Sequence, residues 1–151
     1  MRKRGFEWVT RWAEAGIRLP MRKTAASAGY DIEAAEGVTI APGDMVRVPT
    51  GLKAYMQPDE VLVLAIRSSL AVKRGLALAN GIGIIDADYY DNPENEGHIE
   101  VAVRNLGAEP ASVKKGERIA QGIFLPYLAI DGDTAGEGAP RTGGFGSTGR
   151  G

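Results

Sequence analysis

Apolar positions along the chain fall into short runs, alternating or continuous, interrupted every few residues by Gly, Pro, Asn or Asp. That rhythm predicts strands rather than helices. The strand segments follow in order as "AGYDIEAA" (28–35), "GVTIAP" (37–42), "MVRVPTGLKAYM" (45–56) and "EVLVLAIR" (60–67). Then come "LALANGIGIID" (76–86), "GHIEVAVRN" (97–105), "EPASVKK" (109–115) and "RIAQGIFLPYL" (118–128). Helix signals are confined to two places. "EWVTRWAEAG" (7–16) predicts a short turn closed by Gly16, and "SSLAVKRG" (68–75) predicts a second, with Ser68 or Ser69 as N-cap and Gly75 just past its end.

Two stretches resemble each other. In "VTIAPGDMVRVPTG" (38–51) and "ASVKKGERIAQG" (111–122) an apolar strand runs into a glycine turn, an acid follows, and a second strand begins. Read as repeated hairpins, they predict an all-β architecture, a jelly-roll-like distorted barrel or sandwich over residues 1–128. From "AIDGDTAGEGAP" (129–140) onward the apolar period fades. Residues 129–151 are therefore expected to form a linker and a flexible C-terminal arm that leaves the body.

Composition narrows the function classes. At 151 residues the chain suits one domain that buries roughly 70% of its unfolded surface without staples. A net charge of −1 supplies no field toward nucleic acid or a membrane surface, so neither is expected as a partner. The absence of cysteine excludes disulfides and thiolate metal sites, and it fits a reducing cytoplasm, the expected location. The basic start "MRKRGFEWVTRW" has no apolar run behind it and does not read as a secretory signal. A single histidine, His98, argues against a His metal cluster and against a Ser–His–Asp triad.

Candidate chemistry lies in a few stretches. In "GIGIIDADYYDNPENEGHIEV" (81–101), Asp86 and Asp88 follow a run of isoleucines and glycines. They are either acids at a solvated hairpin tip or a site where one acid orients a water as general base. In the second case Gly81 and Gly83 would let a planar ligand approach the backbone. Arg67, Ser68 and Ser69 meet at a strand-to-helix junction, as a solvated cap or an anion site. Gln121 stands two residues after Ile119 and is expected to share its inward face. Asp31 lies on a strand among apolar neighbours. No phosphate-binding P-loop or dinucleotide fingerprint occurs. The closing "RTGGFGSTGRG" (141–151) would ordinarily be a frayed end, yet it carries a lone aromatic ring between glycines.

Taken in order, "AGYDIEAA", "RSSLAVKRG", "NGIGIIDADYY", "GERIAQGIF" and "RTGGFGSTG" resemble the five motifs of the trimeric deoxyuridine triphosphatase family, along nearly the whole chain. The resemblance implies a homotrimer that hydrolyses dUTP to dUMP and pyrophosphate with Mg²⁺, in nucleotide metabolism. It also implies sites shared among three subunits, the arm coming from the third. By that resemblance Asp86 positions the attacking water, while the adjacent Asp88 is not the base. Tyr89 packs under the sugar and leaves no room for a 2′-hydroxyl. Asn80 and the hairpin backbone through Gly83, Ile84 and Ile85 pair with uracil, and the backbone at Glu100 also meets the base. Arg67, Ser68, Ser69 and Gln121 contact phosphate. Asp31 holds the Mg²⁺ hydration shell indirectly. Phe145, followed by Gly146, covers the uracil, and Arg141, Ser147 and Thr148 donate to the γ-phosphate.

The chain departs from the family pattern in three places. Arg141 adjoins Thr142 directly where many relatives insert a glycine, which puts its reach to the γ-phosphate in question. The second motif reads "RSS" in place of the commoner "RSG". An added "YDNPENEG" (90–97) follows the third motif, expected as an acidic solvated loop or as a surface for a protein partner. Two rivals share the fold. A dCTP deaminase relative also reads "RSSL", but it carries a catalytic glutamate three residues before an asparagine, where this chain has Ala102 ahead of Asn105. A phage-like regulatory binding protein would use its inserted segment for contact.

Overall fold

A computed structural model describes residues 1–135 and 140–145. Among these the strands run β1 (Gly5–Trp8), β2 (Met21–Arg22), β3 (Tyr30–Glu33), β4 (Val38–Ile40), β5 (Met45–Pro49) and β6 (Leu52–Tyr55). They continue as β7 (Glu60–Ile66), β8 (Leu76–Leu78), β9 (Gly83–Asp86), β10 (Glu100–Asn105), β11 (Ala111–Val113) and β12 (Arg118–Pro126). One α-helix, α1 (Ser68–Arg74), joins β7 to β8. The largest sheet has the order β2-β3-β12-β7-β9, a second has β5-β10-β8, and β1–β6 and β4–β11 form two-stranded ladders. Ile32, Leu62, Leu64 and Ile119 from the first share one apolar core with Val48, Val101 and Val103 from the second. The all-β expectation is met, as distorted facing sheets; among the described residues they do not close into one barrel.

The two look-alike stretches do not fold as hairpins. Each has its tight turn, with Asp44 N–H donating to the Ala41 carbonyl and Glu117 N–H to the Lys114 carbonyl, both at 3.0 Å. Yet β5 pairs with β10, and β12 pairs with β3 and β7. The first strands of the two stretches pair with each other, Val38 opposite Val113 and Ile40 opposite Ala111. Both strands of each stretch bury apolar side chains, Ile40 and Val48 in one, Val113 and Ile119 in the other. Turning from one sheet to another gives each strand its own face of the core, so the glycine turns are sandwich corners.

Other boundaries shift for local reasons. The expected strand 45–56 breaks at Thr50-Gly51, and 76–86 breaks at the turn holding Gly81. Helix α1 starts one residue earlier than a Ser68 cap requires. Arg67 keeps extended angles (φ −67, ψ 132) because its N–H donates to the Ile119 carbonyl at 2.9 Å, so Arg67 occupies the N-cap position and no side chain caps it. Gly75 closes the helix as expected, at φ 68, a left-handed conformation that favours glycine.

His98 is 4% exposed, and its Nε2 accepts the Gly51 N–H at 3.0 Å. Burial pushes its pKa from 6.5 down to about 4, with the charge of Arg11 acting in the same direction. The folded chain keeps the ring neutral while the unfolded chain binds a proton at the ordinary value. Stability is therefore lost as pH falls from about 6.5 toward 4. His98 is the chain's one histidine, so its ring-proton NMR signal stands alone. It is expected to titrate with a midpoint near 4 in folded protein. A midpoint at the ordinary value would mean that the ring is not held as described.

Candidate active site

Strand β9 hangs on the edge of the large sheet, with Gly83 opposite Leu64 and Asp86 opposite Val61. A Cβ on Gly83 would lie 3.0 Å from the Leu64 Cβ, so the missing side chain lets β9 sit close against β7. Between β9 and the second sheet opens a cleft of about 340 Å³. Asn80, Gly83, Ile84, Ile85, Tyr89 and Glu100 line it, over an apolar floor that includes Leu64 and Val101. Ala102 also faces it, so the position of the deaminase glutamate carries no carboxylate into the cleft. The buried Tyr89 is fixed at its hydroxyl, which donates to the His98 carbonyl at 2.6 Å and accepts from Asn95 Nδ2 at 2.8 Å. Burial pushes this phenol's pKa up.

Asp86 and Asp88 stand exposed at the mouth, and the arm reaches them from the far end of the chain. Arg141 donates from Nη2 to Asp86 at 2.5 Å, from Nε to Asp88 at 2.7 Å, and from Nη1 to the Gly143 carbonyl at 2.9 Å. Its guanidinium also lies 5.8 Å from the centre of the Tyr89 ring. Phe145 borders the same cleft, with the Arg47 guanidinium 4.0 Å over its ring. Phe145 sits at φ 50, a left-handed conformation that costs a non-glycine residue about 1–2 kcal/mol. Arg141, Gly144 and Phe145 thus border this chain's own cleft. Gly146, Ser147 and Thr148 lie outside the described residues.

The other expected site residues gather elsewhere. Asp31 on β3 is opposite Gln121 on β12, which in turn is opposite Ala65 at the end of β7. Arg67, Ser68 and Ser69 follow at once. Gln121 is half-buried and not in the core: a bulge between Arg118 and Ala120 turns both Ile119 and Ala120 inward and breaks the alternation. Asp31 makes a loose ion pair with Arg118 at 3.4 Å. Asp86 is opposite Val61, whereas Arg67 lies six residues further along the same strand line. At strand rise that is about 20 Å, so one chain holds the two groups apart.

The 90–97 segment is neither a simple hairpin tip nor a freely solvated loop. Lys53, only 8% exposed, donates to Asp91 at 2.6 Å and to Glu96 at 2.9 Å. Glu96 also accepts from the Thr10 hydroxyl at 2.7 Å, and these partners hold its carboxyl down to about pKa 2. Two of its acids, Asp91 and Glu96, thus pair with this chain's own Lys53, while Glu94 is exposed. Arg47 escaped the sequence reading: alternation in "MVRV" turns it away from the core, but no local pattern tells that a ring from the far terminus rests on it.

A base-sized cleft with carboxylates at its mouth and an arginine arm across it makes this all-β chain a nucleotide-hydrolase type of protein. Comparison with known proteins sharpens the class. Residues 15–149 match the family model for dUTPase. The chain is 56% identical over 149 residues to the deoxyuridine 5′-triphosphate nucleotidohydrolase of Lactococcus lactis, covering 99% of both. It superposes on a crystal structure of dUTPase from Streptococcus mutans with a TM-score of 0.80 at 50% identity, covering 85% of this chain and 99% of that one. The chain belongs to the dUTPase family. A dUTPase variant from phage phi11 of S. aureus, 20% identical with a TM-score of 0.73 over 88% of this chain and 96% of that one, shares the fold; its structure describes coordination of a structural Mg(II) ion.

Proposed function

We propose that the chain hydrolyses dUTP to dUMP and pyrophosphate, in the cytoplasm, as a homotrimer whose sites are completed between subunits. The observation that carries this reading is the cleft itself, in which the β9 hairpin, Tyr89, Asp86 and Phe145 surround one base-sized space. Uracil enters against the β9 backbone, where a donor satisfied by its 4-carbonyl is left unpaired by the amine of cytosine. Tyr89 takes the sugar, its ring held too firmly by Asn95 and His98 to yield to a 2′-hydroxyl. Asp86 accepts a proton from a water as the water's oxygen bonds to the α-phosphorus. The α–β bridging bond breaks, and its electron pair leaves with pyrophosphate.

The distance between Asp86 and the Arg67–Gln121 group supports a shared site: a second subunit supplies Arg67, Ser68, Ser69, Gln121 and Asp31 to the phosphates. The resemblance assigns the arm to a third subunit, whereas here it rests on its own chain's cleft. Among the described residues no group of three or more metal-binding side chains could hold an ion by itself. That fits Mg²⁺, which takes its ligands mainly from water and phosphate, with Asp31 acting through water. When bound, the ion neutralises the triphosphate and stabilises the departing pyrophosphate. Residues 129–151 act as the arm and 1–128 as the domain that carries the site.

The test is pyrophosphate release measured across dUTP, dCTP, dTTP and UTP. dUTP is expected to be hydrolysed with a preference of about 10⁴-fold or more over dCTP. Ammonia from dCTP would instead mark a deaminase. The shared site is checked by refolding Asp86→Asn and Arg67→Ala chains together: each alone is inactive, and the mixture regains activity. No recovery would place each site within one chain.

A further inference from the structure

We infer that the 90–97 segment is a clamp on Tyr89, and that Asn92 and Asn95 are positioning residues that set how strongly the cleft prefers deoxyribose to ribose. The inference rests on the dUTP reading, in which this ring lies under the sugar. An apolar wall rejects an added hydroxyl only weakly, because it can give way. Strong rejection of a 2′-hydroxyl needs a ring that cannot tilt, so that the extra oxygen overfills the space. Whatever stiffens the ring is then part of the specificity.

The segment holds Tyr89 at both ends. At the ring, the hydroxyl gives its one proton to the His98 carbonyl and accepts a proton from Asn95 Nδ2. At the backbone, the Tyr89 carbonyl accepts from Asn92 Nδ2 at 2.7 Å and from the Asn92 N–H at 3.3 Å. Asn92, 5% exposed, also donates to Asn95 Oδ1 at 2.7 Å, which aims the Asn95 amide at the ring. That same Oδ1 accepts the Gly97 N–H at 3.0 Å. Gly97 closes the loop at φ 88, where a Cβ would lie 2.8 Å from the Tyr89 carbonyl oxygen and 3.0 Å from the Tyr90 Cα. Both contacts are with backbone, which cannot swing aside as a side chain can.

The clamp is tied to the body in turn. Lys53 on β6 bridges Asp91 and Glu96, near the two ends of the segment, and the Asp91 N–H donates to the Glu96 carbonyl at 3.0 Å. Both acids hold left-handed backbone, at φ 56 and φ 65, a conformation that a non-glycine residue keeps only when its surroundings fix it. From the N-terminal side, the Thr10 hydroxyl donates to Glu96, and the Tyr90 hydroxyl donates to Glu7 on β1. The wall of the sugar site is thus braced from behind by groups that do not reach the cleft themselves.

Asn95→Ser tests the clamp with little damage to the loop. A serine hydroxyl can still accept the N–H two residues on, but it is too short to reach the Tyr89 hydroxyl. In the pyrophosphate assay the ratio of kcat/KM for dUTP to that for UTP is expected to fall about tenfold, the worth of roughly one hydrogen bond, chiefly because UTP gains. Asn92→Ala, at a residue that bonds no atom of the ring, should lower the ratio in the same direction. Added to Tyr89→Phe, which has no hydroxyl to hold, Asn95→Ser should change the ratio far less than it does in the intact chain. A loop needed only for folding would lower the melting temperature and leave the ratio where it was, and that result would overturn the proposal. An equal effect of Asn95→Ser with and without the Tyr89 hydroxyl would overturn it too. The clamp is also read without nucleotide, from exchange of the Tyr89 hydroxyl proton with water, by NMR of full-length protein carrying ¹³Cζ-labelled tyrosine. Tyr89→Phe identifies the signal by its loss. Asn95→Ser should speed this exchange about tenfold, and unchanged exchange would mean that the segment does not hold the ring. If exchange quickens while the wild type does not hydrolyse dUTP, the clamp stands and the substrate reading falls.

Discussion

Asp86→Asn is expected to lower kcat for dUTP by about 10²–10⁴-fold, the usual worth of a positioned general base, while the nucleotide still binds. The amide keeps the size and one acceptor of the carboxylate but has little affinity for a proton. The groups that would hold the base and sugar, the β9 backbone and Tyr89, do not depend on the Asp86 charge. Arg141 keeps a partner in Asp88, so the arm should stay in place. Affinity for a non-hydrolysable dUTP analogue should therefore change by only a few-fold. Asp88→Asn serves as the comparison, because Asp88 shares the arginine and is not assigned the proton. If Asp86→Asn turned over normally and Asp88→Asn did not, the roles of the two acids would be exchanged. If both turned over normally, Glu100 would be the remaining acid lining the cleft.

How much of this was legible in the sequence differs from one feature to another. Strand segments were readable because each carries its own alternation, and the Gly75 helix end because left-handed backbone selects glycine locally. Pairing was not. The corners at Gly43 and Gly116 look like hairpin turns, since a turn's chemistry is the same whether the chain returns to its own sheet or crosses to another. Gln121 was misplaced by a bulge that leaves no mark in residue type. The site divides along the same line. Asn80 to Glu100 could be grouped because one hairpin and its return strand carry them, and the structure does bring them together. Their separation from Arg67 and Gln121 follows from the register of β7, which only the fold reveals. The 90–97 segment read as acidic and solvated because its counter-ion, Lys53, is distant in sequence.

Truncation after Pro140 should cost at least about 10²-fold in kcat/KM, on the scale of losing one preorganised donor to developing charge. The body should be left folded, because among the described residues the buried core draws nothing from beyond 128. The melting temperature and the oligomeric state are therefore expected to be those of the intact chain. The loss would come from two groups at once. Arg141, with only 14% of its side chain exposed, is a cation beside the acid proposed to take the proton, and Phe145 borders the cleft and would cover a bound base. Keeping the arm ordered costs roughly 1–2 kcal/mol per residue in backbone freedom. Its contacts with Asp86 and Asp88 offset part of that cost but also engage the carboxylate that must take a proton. A triphosphate carries more charge than the two aspartates and can draw the guanidinium toward itself, which would free Asp86 as it recruits the lid. Arg141→Ala separates the two contributions: it should remove the phosphate contact and leave the ring, and so fall between truncate and intact chain in kcat/KM. A truncate with unchanged kcat would show that the arm's place on the cleft has no part in catalysis, and an Arg141→Ala variant as impaired as the truncate would mean that the ring contributes nothing without the arginine.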